Sequence, residues 1–183
     1  RKLPVTTFLR ALGYGQAEPA DAARDTETVH RIVTELGRLD RDRARYLAAF
    51  AYVLARVAHA DQEFDDAEIA VMTKFVVELG HLPEAQAVLV VQIARSQTEL
   101  FGGTEDFLVT RQFREMSTEL QRRELLDCVF AVSAADDSIS AAEESRIRQI
   151  ASELGIDHAG FVAARAGYSD KRDIIKAFRK SVG

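Results

Sequence analysis

The chain has 183 residues, 47% of them hydrophobic, which is enough for one globular domain with a sizeable core. Its net charge of -5 argues against non-specific nucleic-acid binding, and none of its apolar runs is long enough to cross a bilayer as a helix. The single cysteine, Cys128, excludes a disulfide framework within the chain and a multi-cysteine metal site. Its apolar helical context predicts a buried, inert thiol.

The sequence predicts helices almost throughout, and the predicted fold class is therefore all-α. Those near residues 5–12 and 21–36 form an N-terminal helical extension over residues 1–39. The later stretch "AVLVVQIA" has the β-branched content of a strand, but Pro83 and Glu84 before it favour the start of a helix. Further helices are expected near residues 41–60, 65–79, 83–100, 104–116, 118–135, 140–154, 158–166 and 170–181.

An internal repeat appears when the chain is shifted by 75 residues. Seven residues between positions 60 and 80 are identical to those 75 positions later, and apolar positions around them coincide at helical spacing. The repeated unit is a long helix, a short acidic segment, and a second helix that a glycine closes, over about residues 45–80 and 120–155. The identical positions are Ala60, Asp61, Ala67, Glu68, Glu78, Leu79 and Gly80.

Two helical hairpins that each carry an apolar stripe are expected to pack against each other and share a core. The sequence therefore predicts a compact multi-helical bundle over residues 40–183, built from a duplicated hairpin with pseudo-twofold symmetry. The N-terminal extension is expected to pack with it as one unit. The long helices of the hairpins are apolar over more than one face, which suits a pair of central helices.

The acidic segments, which we define as the first elbow (residues 61–68) and the second elbow (residues 136–144), allow two interpretations. Ser140 followed by Glu143 is a capping box, and Asp65 followed by Glu68 is its acidic equivalent, so these residues could simply start helices. Alternatively, the carboxylates supply oxygen ligands to a hard cation such as calcium, although neither elbow has EF-hand spacing. The candidate ligands are Asp61, Glu63, Asp65, Glu68, Asp136, Asp137, Glu143 and Glu144.

Catalytic motifs are missing from the sequence, which predicts no enzyme. Its four histidines lack metalloprotease spacing, and there is no phosphate-binding loop or nucleophile elbow. The basic C-terminal stretch around Ile174 and Phe178 either complements the dipole of the last helix or docks on anionic lipid or an acidic partner. Docking would require Phe178 to be at least partly exposed.

The segments "AHADQEFDDAE…VELG" and "SAADDSISAAEE…SELG" resemble the duplicated alanine–aspartate elbow of the TerB-like family, named for a protein of bacterial tellurite resistance operons. The resemblance covers roughly residues 40–165. It implies a helical bundle whose carboxylates bind divalent cations, notably calcium.

The resemblance also implies a non-enzymatic interaction module in a stress-linked or envelope-linked bacterial complex. The module would act through a protein partner, with no nucleic acid. A cytoplasmic location is expected, with peripheral contact to the inner face of the membrane through that partner. The alternative is a structural protein–protein adaptor whose acidic residues only cap helices.

Overall fold

A computed structural model of the chain describes residues 34–58, 66–96, 104–134 and 139–182. Every regular element in these ranges is a helix, which confirms the predicted all-α class. The predicted helix near residues 5–12 lies outside the described residues. Only the end of the helix predicted over 21–36 falls within them, and so most of the N-terminal extension is not described.

Several helices begin after residues whose side chains satisfy free N–H groups of the first turn. Asp40 accepts a 3.0 Å hydrogen bond from the Arg43 N–H, and Thr118 forms a capping box with Gln121. The stretch "AVLVVQIA" is helical, so the preference for helix over strand there is confirmed. The helix bounds are α1 Arg41–Ala55, α2 Asp66–Glu78, α3 Glu84–Ser96, α4 Thr104–Met116, α5 Glu119–Ser133, α6 Ala141–Glu153 and α7 His158–Val182.

Helices α1 and α5 form the centre of the bundle. Every residue from Tyr46 to Ala55 is buried, and so is every residue from Cys128 to Ala134. Helix α1 packs against α3, α4 and α5, whereas α5 packs against α1, α2, α6 and α7. A helix that is buried on all its faces must be surrounded by others. The predicted pair of central helices is therefore confirmed, as is the burial of Cys128.

The second helices of the two repeats have matching bounds, because α2 and α6 differ by 75 residues at both ends. Their C-terminal turns nevertheless differ. Gly155 has the left-handed conformation expected after a helix, with φ of 75°, whereas in the first repeat His81 adopts it, with φ of 53°. Gly80, the glycine predicted to close α2, does not adopt this left-handed conformation. The pseudo-twofold symmetry of the complete hairpins stays a prediction.

Gly80 is needed instead because other atoms approach its backbone closely. A Cβ atom there would lie 2.6 Å from the Val76 carbonyl oxygen and 3.1 Å from both Cys128 Sγ and Phe50 Cζ. The glycine therefore lets the end of α2 pack tightly on α1 and α5.

The C-terminal region is one continuous helix of 25 residues, so the predicted break between residues 166 and 170 is wrong. Gly167 costs a helix only about 1 kcal/mol relative to alanine, and packing offsets that cost. Tyr168 stacks on Phe130 with ring centroids 6.0 Å apart. Near its end, α7 contacts α2, where Lys74 Nζ donates a 2.8 Å hydrogen bond to Ser181 Oγ. The side chain of Phe178 lies outside the described residues, and the docking idea stays a prediction.

None of the helices in the described ranges is both long and apolar enough to cross a membrane.

The burial of Tyr46 is expected to make the protein less stable at alkaline pH. Burial raises the pKa of Tyr46 to about 12, the charge of Arg43 opposes the rise, and the charge of Glu124 adds to it. Below pH 10 the tyrosine is neutral in both the folded and the unfolded protein, and its full contribution to stability is present. As pH rises from 10 through 12 the unfolded chain ionises more readily than the folded protein, and this contribution is lost. We expect wild-type protein to lose about 1 kcal/mol more stability than Tyr46→Phe between pH 9 and 11, as measured by urea unfolding. The prediction is wrong if the free energy of unfolding falls equally with pH in the two proteins.

Candidate functional site

The structure describes two of the eight predicted metal ligands in full. Glu143 and Glu144 lie in the first turn of α6. Glu68 lies in the first turn of α2, but its side chain is not among those described. The remaining five candidates lie outside the described residues: Asp61, Glu63, Asp65, Asp136 and Asp137.

Glu143 takes part in the start of α6, as the capping-box pattern predicted. The Ser140 hydroxyl accepts a 3.2 Å hydrogen bond from the Glu143 N–H, and Glu143 Oε2 accepts one of 2.7 Å from the Ser140 N–H. This reciprocal pair satisfies two backbone groups that the helix itself leaves without partners. A cation bound through Glu143 Oε2 would compete with the Ser140 N–H.

Glu144 joins α6 to α7 through two arginines. Its Oε1 atom lies 3.2 Å from Arg148 Nη2, one turn along α6, and 3.2 Å from Arg165 Nη1 in α7. Arg148 also packs over the ring of Phe161, with its guanidinium carbon 4.4 Å from the ring centroid. The positive charges of the two guanidinium groups would repel a cation at Glu144, which disfavours this residue as a strong ligand.

In the part of the chain that the structure describes, no three His, Cys, Asp or Glu side chains come together as a metal site. Both described histidines have other neighbours. His81 Nδ1 lies 3.1 Å from Glu124 Oε1, and His158 Nδ1 lies 3.3 Å from Arg148 Nη1. The described carboxylates of the second elbow are thus engaged in capping and ion pairs.

Ser140→Ala provides a test of the capping interpretation. Loss of the N-cap hydroxyl is expected to lower the free energy of unfolding by about 1 kcal/mol. If Ser140 and Glu143 serve only to start α6, urea unfolding should give the same loss in calcium and in chelator. A loss confined to calcium-containing buffer would instead link the cap to a bound cation.

A buried polar cluster that the sequence analysis did not identify lies where α1 ends. Arg56 Nη1 is 2.5 Å from Glu153 Oε2, at the end of α6, and 2.8 Å from Thr110 Oγ1 in α4. The side chains of Arg56 and Glu153 are only 6% and 9% exposed. We refer to Arg56, Thr110 and Glu153 as the Arg56 cluster. An arginine among the apolar residues at the end of a central helix was the signal that could have revealed it.

Two further hydrogen bonds reach this cluster from helix α6. Gln149 Nε2 donates to Glu153 Oε1 at 3.2 Å, so both carboxylate oxygens have a partner. Arg146 Nη1 donates to the backbone carbonyl of Arg56 at 3.3 Å. Residues of α6 therefore hold both the side chain and the backbone of Arg56. The first elbow begins five residues later in the sequence.

A family model described as tellurite resistance protein TerB matches residues 47–166, about two thirds of the chain, and both elbows lie within the match. No curated protein and no solved structure gave a significant match. The chain belongs to the TerB family.

Proposed function

We propose that this chain is a non-enzymatic TerB-family module that binds a divalent cation, calcium, mainly through its first elbow. The observation that carries the proposal is the density of carboxylates in that elbow, five within eight residues, inside the segment that matches the family. Calcium takes six to eight oxygen ligands, and a short carboxylate-rich segment can supply several of them. Asp61, Glu63, Asp65 and Glu68 are the proposed ligands of the first elbow.

Electrostatics provides the driving force for binding. Carboxylates held close together repel one another, and a divalent cation relieves this repulsion while exchanging its water for their oxygens. The second elbow, with Asp136, Asp137, Glu143 and Glu144, is proposed as a weaker site. This ranking is supported by the existing partners of Glu143 and Glu144, with which a cation would compete.

The biological setting is proposed from the family. A tellurite resistance family and a non-catalytic helical bundle suit an interaction module in a stress-linked or envelope-linked bacterial complex. We propose a cytoplasmic location, with contact to the inner face of the membrane through a protein partner. The acidic balance of the chain favours a protein partner over nucleic acid.

The alternative is a structural adaptor in which the acidic residues only start helices. The capping box of Ser140 and Glu143 and the ion pairs of Glu144 favour it for the second elbow. The two functions differ in their response to calcium, because only a cation site stabilises the fold by mass action.

Thermal unfolding of wild-type, Asp61→Asn and Asp136→Asn protein tests the proposal. At a calcium concentration ten times Kd, binding adds about 1.4 kcal/mol, which is roughly 3–5 °C in the thermal midpoint for a domain of this size. Asp61→Asn should reduce this rise more than Asp136→Asn does, and both should match wild type in chelator. Equal wild-type midpoints in calcium and chelator, at matched ionic strength, would favour the adaptor.

A further inference from the structure

The C-terminal half of helix α7 is strongly basic, although the chain as a whole carries a net charge of -5. Residues 171–183 include five lysines and arginines but only one acidic residue. The favourable interaction of cations with a helix dipole extends only over the last turn of the helix. It therefore accounts for Arg179 and Lys180, but not for basic residues further from the end of α7 at Val182.

The spacing of the basic residues places most of them on one face of the helix. Positions four or seven residues apart lie on the same side of an α-helix. Arg172 precedes Lys176 by four residues and Arg179 by seven, and Arg165 precedes Arg172 by seven. At 1.5 Å of rise per residue, this row extends over roughly 22 Å of α7. We define it as the basic stripe, which consists of Arg165, Arg172, Lys176, Arg179 and Lys180.

Three side chains of the basic stripe are described, and solvent reaches all of them. Lys180 is exposed, Lys176 is half-buried, and the side chain of Arg165 is 57% exposed. Arg165 shares its acidic partner, Glu144, with Arg148. Within the described part of the chain, neither lysine forms an ion pair. The positive charges of the two lysines are therefore not neutralised by their described neighbours.

We propose that the basic stripe is a docking surface for a membrane rich in anionic lipids. Four to eight lysines and arginines on an amphipathic helix are typical of segments that bind anionic lipid headgroups. Helix α7 has this pattern, because the apolar residues Ile174 and Phe178 lie four positions apart and outside the stripe. A straight row of charges along one helix also suits the flat array of phosphates at a lipid surface.

The acidic balance of the chain is compatible with this contact. A helix is about 10 Å across, and the Debye length at physiological ionic strength is about 8 Å, so acidic residues on the far side of the bundle are screened from the lipid. The proposal goes beyond the cation site, since contact through α7 requires neither calcium nor a protein partner.

Co-sedimentation with large unilamellar vesicles tests the proposal. Vesicles of phosphatidylcholine alone are compared with vesicles of phosphatidylcholine and phosphatidylglycerol in equal amounts, in chelator, so that no calcium can join the acidic elbows to lipid. The proteins are wild type, Lys176→Gln/Lys180→Gln, and the control Arg111→Gln/Arg123→Gln. The control removes the same charge from side chains that are 60% and 59% exposed on other helices.

Wild type should bind the anionic vesicles, not the neutral ones, and should be released by high salt. Each lysine near an anionic surface strengthens partitioning about fivefold, so the lysine variant should bind about 25-fold more weakly and the control should bind like wild type. Glutamine is a good helix former, and α7 should be retained in the variant. If the variant nevertheless unfolds, Lys180→Gln alone should weaken binding about fivefold relative to Arg123→Gln.

Wild type that does not sediment with anionic vesicles, or that sediments equally with both kinds, would overturn the proposal. Equal binding by wild type and the lysine variant, or by Lys180→Gln and Arg123→Gln, would also overturn it. Retention of wild type on immobilised polyglutamate but not on anionic vesicles would assign the stripe to an acidic protein partner instead. None of these results bears on calcium binding, so the proposed function is tested separately.

Discussion

Arg56→Met alone is expected to lower the free energy of unfolding by about 3–5 kcal/mol. The substitution leaves the carboxylate of Glu153, only 9% exposed, without its charge partner. A buried ion that has lost its partner pays the desolvation cost without the compensating attraction. Restoring electroneutrality with Arg56→Met/Glu153→Leu should recover most of the loss, because the buried charge is then removed.

Urea unfolding of wild type, the single variant and the double variant measures this effect. Arg123→Met is the matched control, since it breaks an exposed arginine–glutamate pair and should cost at most about 1 kcal/mol. A loss for Arg56→Met as small as that for Arg123→Met would mean that water reaches Glu153 and that the pair is not buried in solution.

Gly80→Ala is expected to lower the free energy of unfolding by about 3 kcal/mol, at the upper end of the cost of overpacking a core. The new methyl group would lie 2.6 Å from the Val76 carbonyl oxygen, a backbone atom that cannot move without distorting α2. It would also press on Cys128 and Phe50, which belong to the two central helices. Three elements would therefore have to shift together.

Gly167→Ala is the matched control for Gly80→Ala. It lies within α7, and a methyl group there would meet nothing within 4 Å. It should therefore stabilise the protein by about 0.5–1 kcal/mol through helix propensity and the smaller entropy of the unfolded chain. Chemical unfolding of both variants measures the contrast. A neutral Gly80→Ala would show that the packing between α2 and the central helices is loose.

Much of the fold could be predicted from periodicity and repetition. The 75-residue repeat predicted second helices with equivalent bounds, and α2 and α6 end at Glu78 and Glu153. The all-α class and the burial of Cys128 followed from apolar spacing, because such spacing reflects the local geometry of a helix. Capping by Ser140 and Glu143 was also predictable, since it depends on residues three positions apart.

Features that depend on tertiary contacts were not predictable in the same way. The break expected near Gly167 does not occur, because packing of Tyr168 on Phe130 outweighs a weak local preference. The role of Gly80 depends on two helices distant in sequence. The pair of Arg56 and Glu153 joins residues 97 positions apart, and no local pattern connects them.

For the candidate site, the sequence identified carboxylates but could not rank them. Glu143 and Glu144 have the same residue type and lie side by side, yet one caps α6 and the other binds two arginines. Their partners come from the fold and not from the spacing of the acidic residues.

The central claim, that the first elbow binds calcium and does not serve only as a helix start, is tested most directly by titrating calcium chloride into wild-type and Asp61→Asn protein. Calorimetry at matched ionic strength should give a saturable isotherm for wild type, dominated by one site. Asp61→Asn should weaken that binding about tenfold, as expected when one charged ligand is lost, while keeping the thermal midpoint in chelator. A wild-type isotherm that shows only the heat of dilution, or identical isotherms for the two proteins, would contradict it.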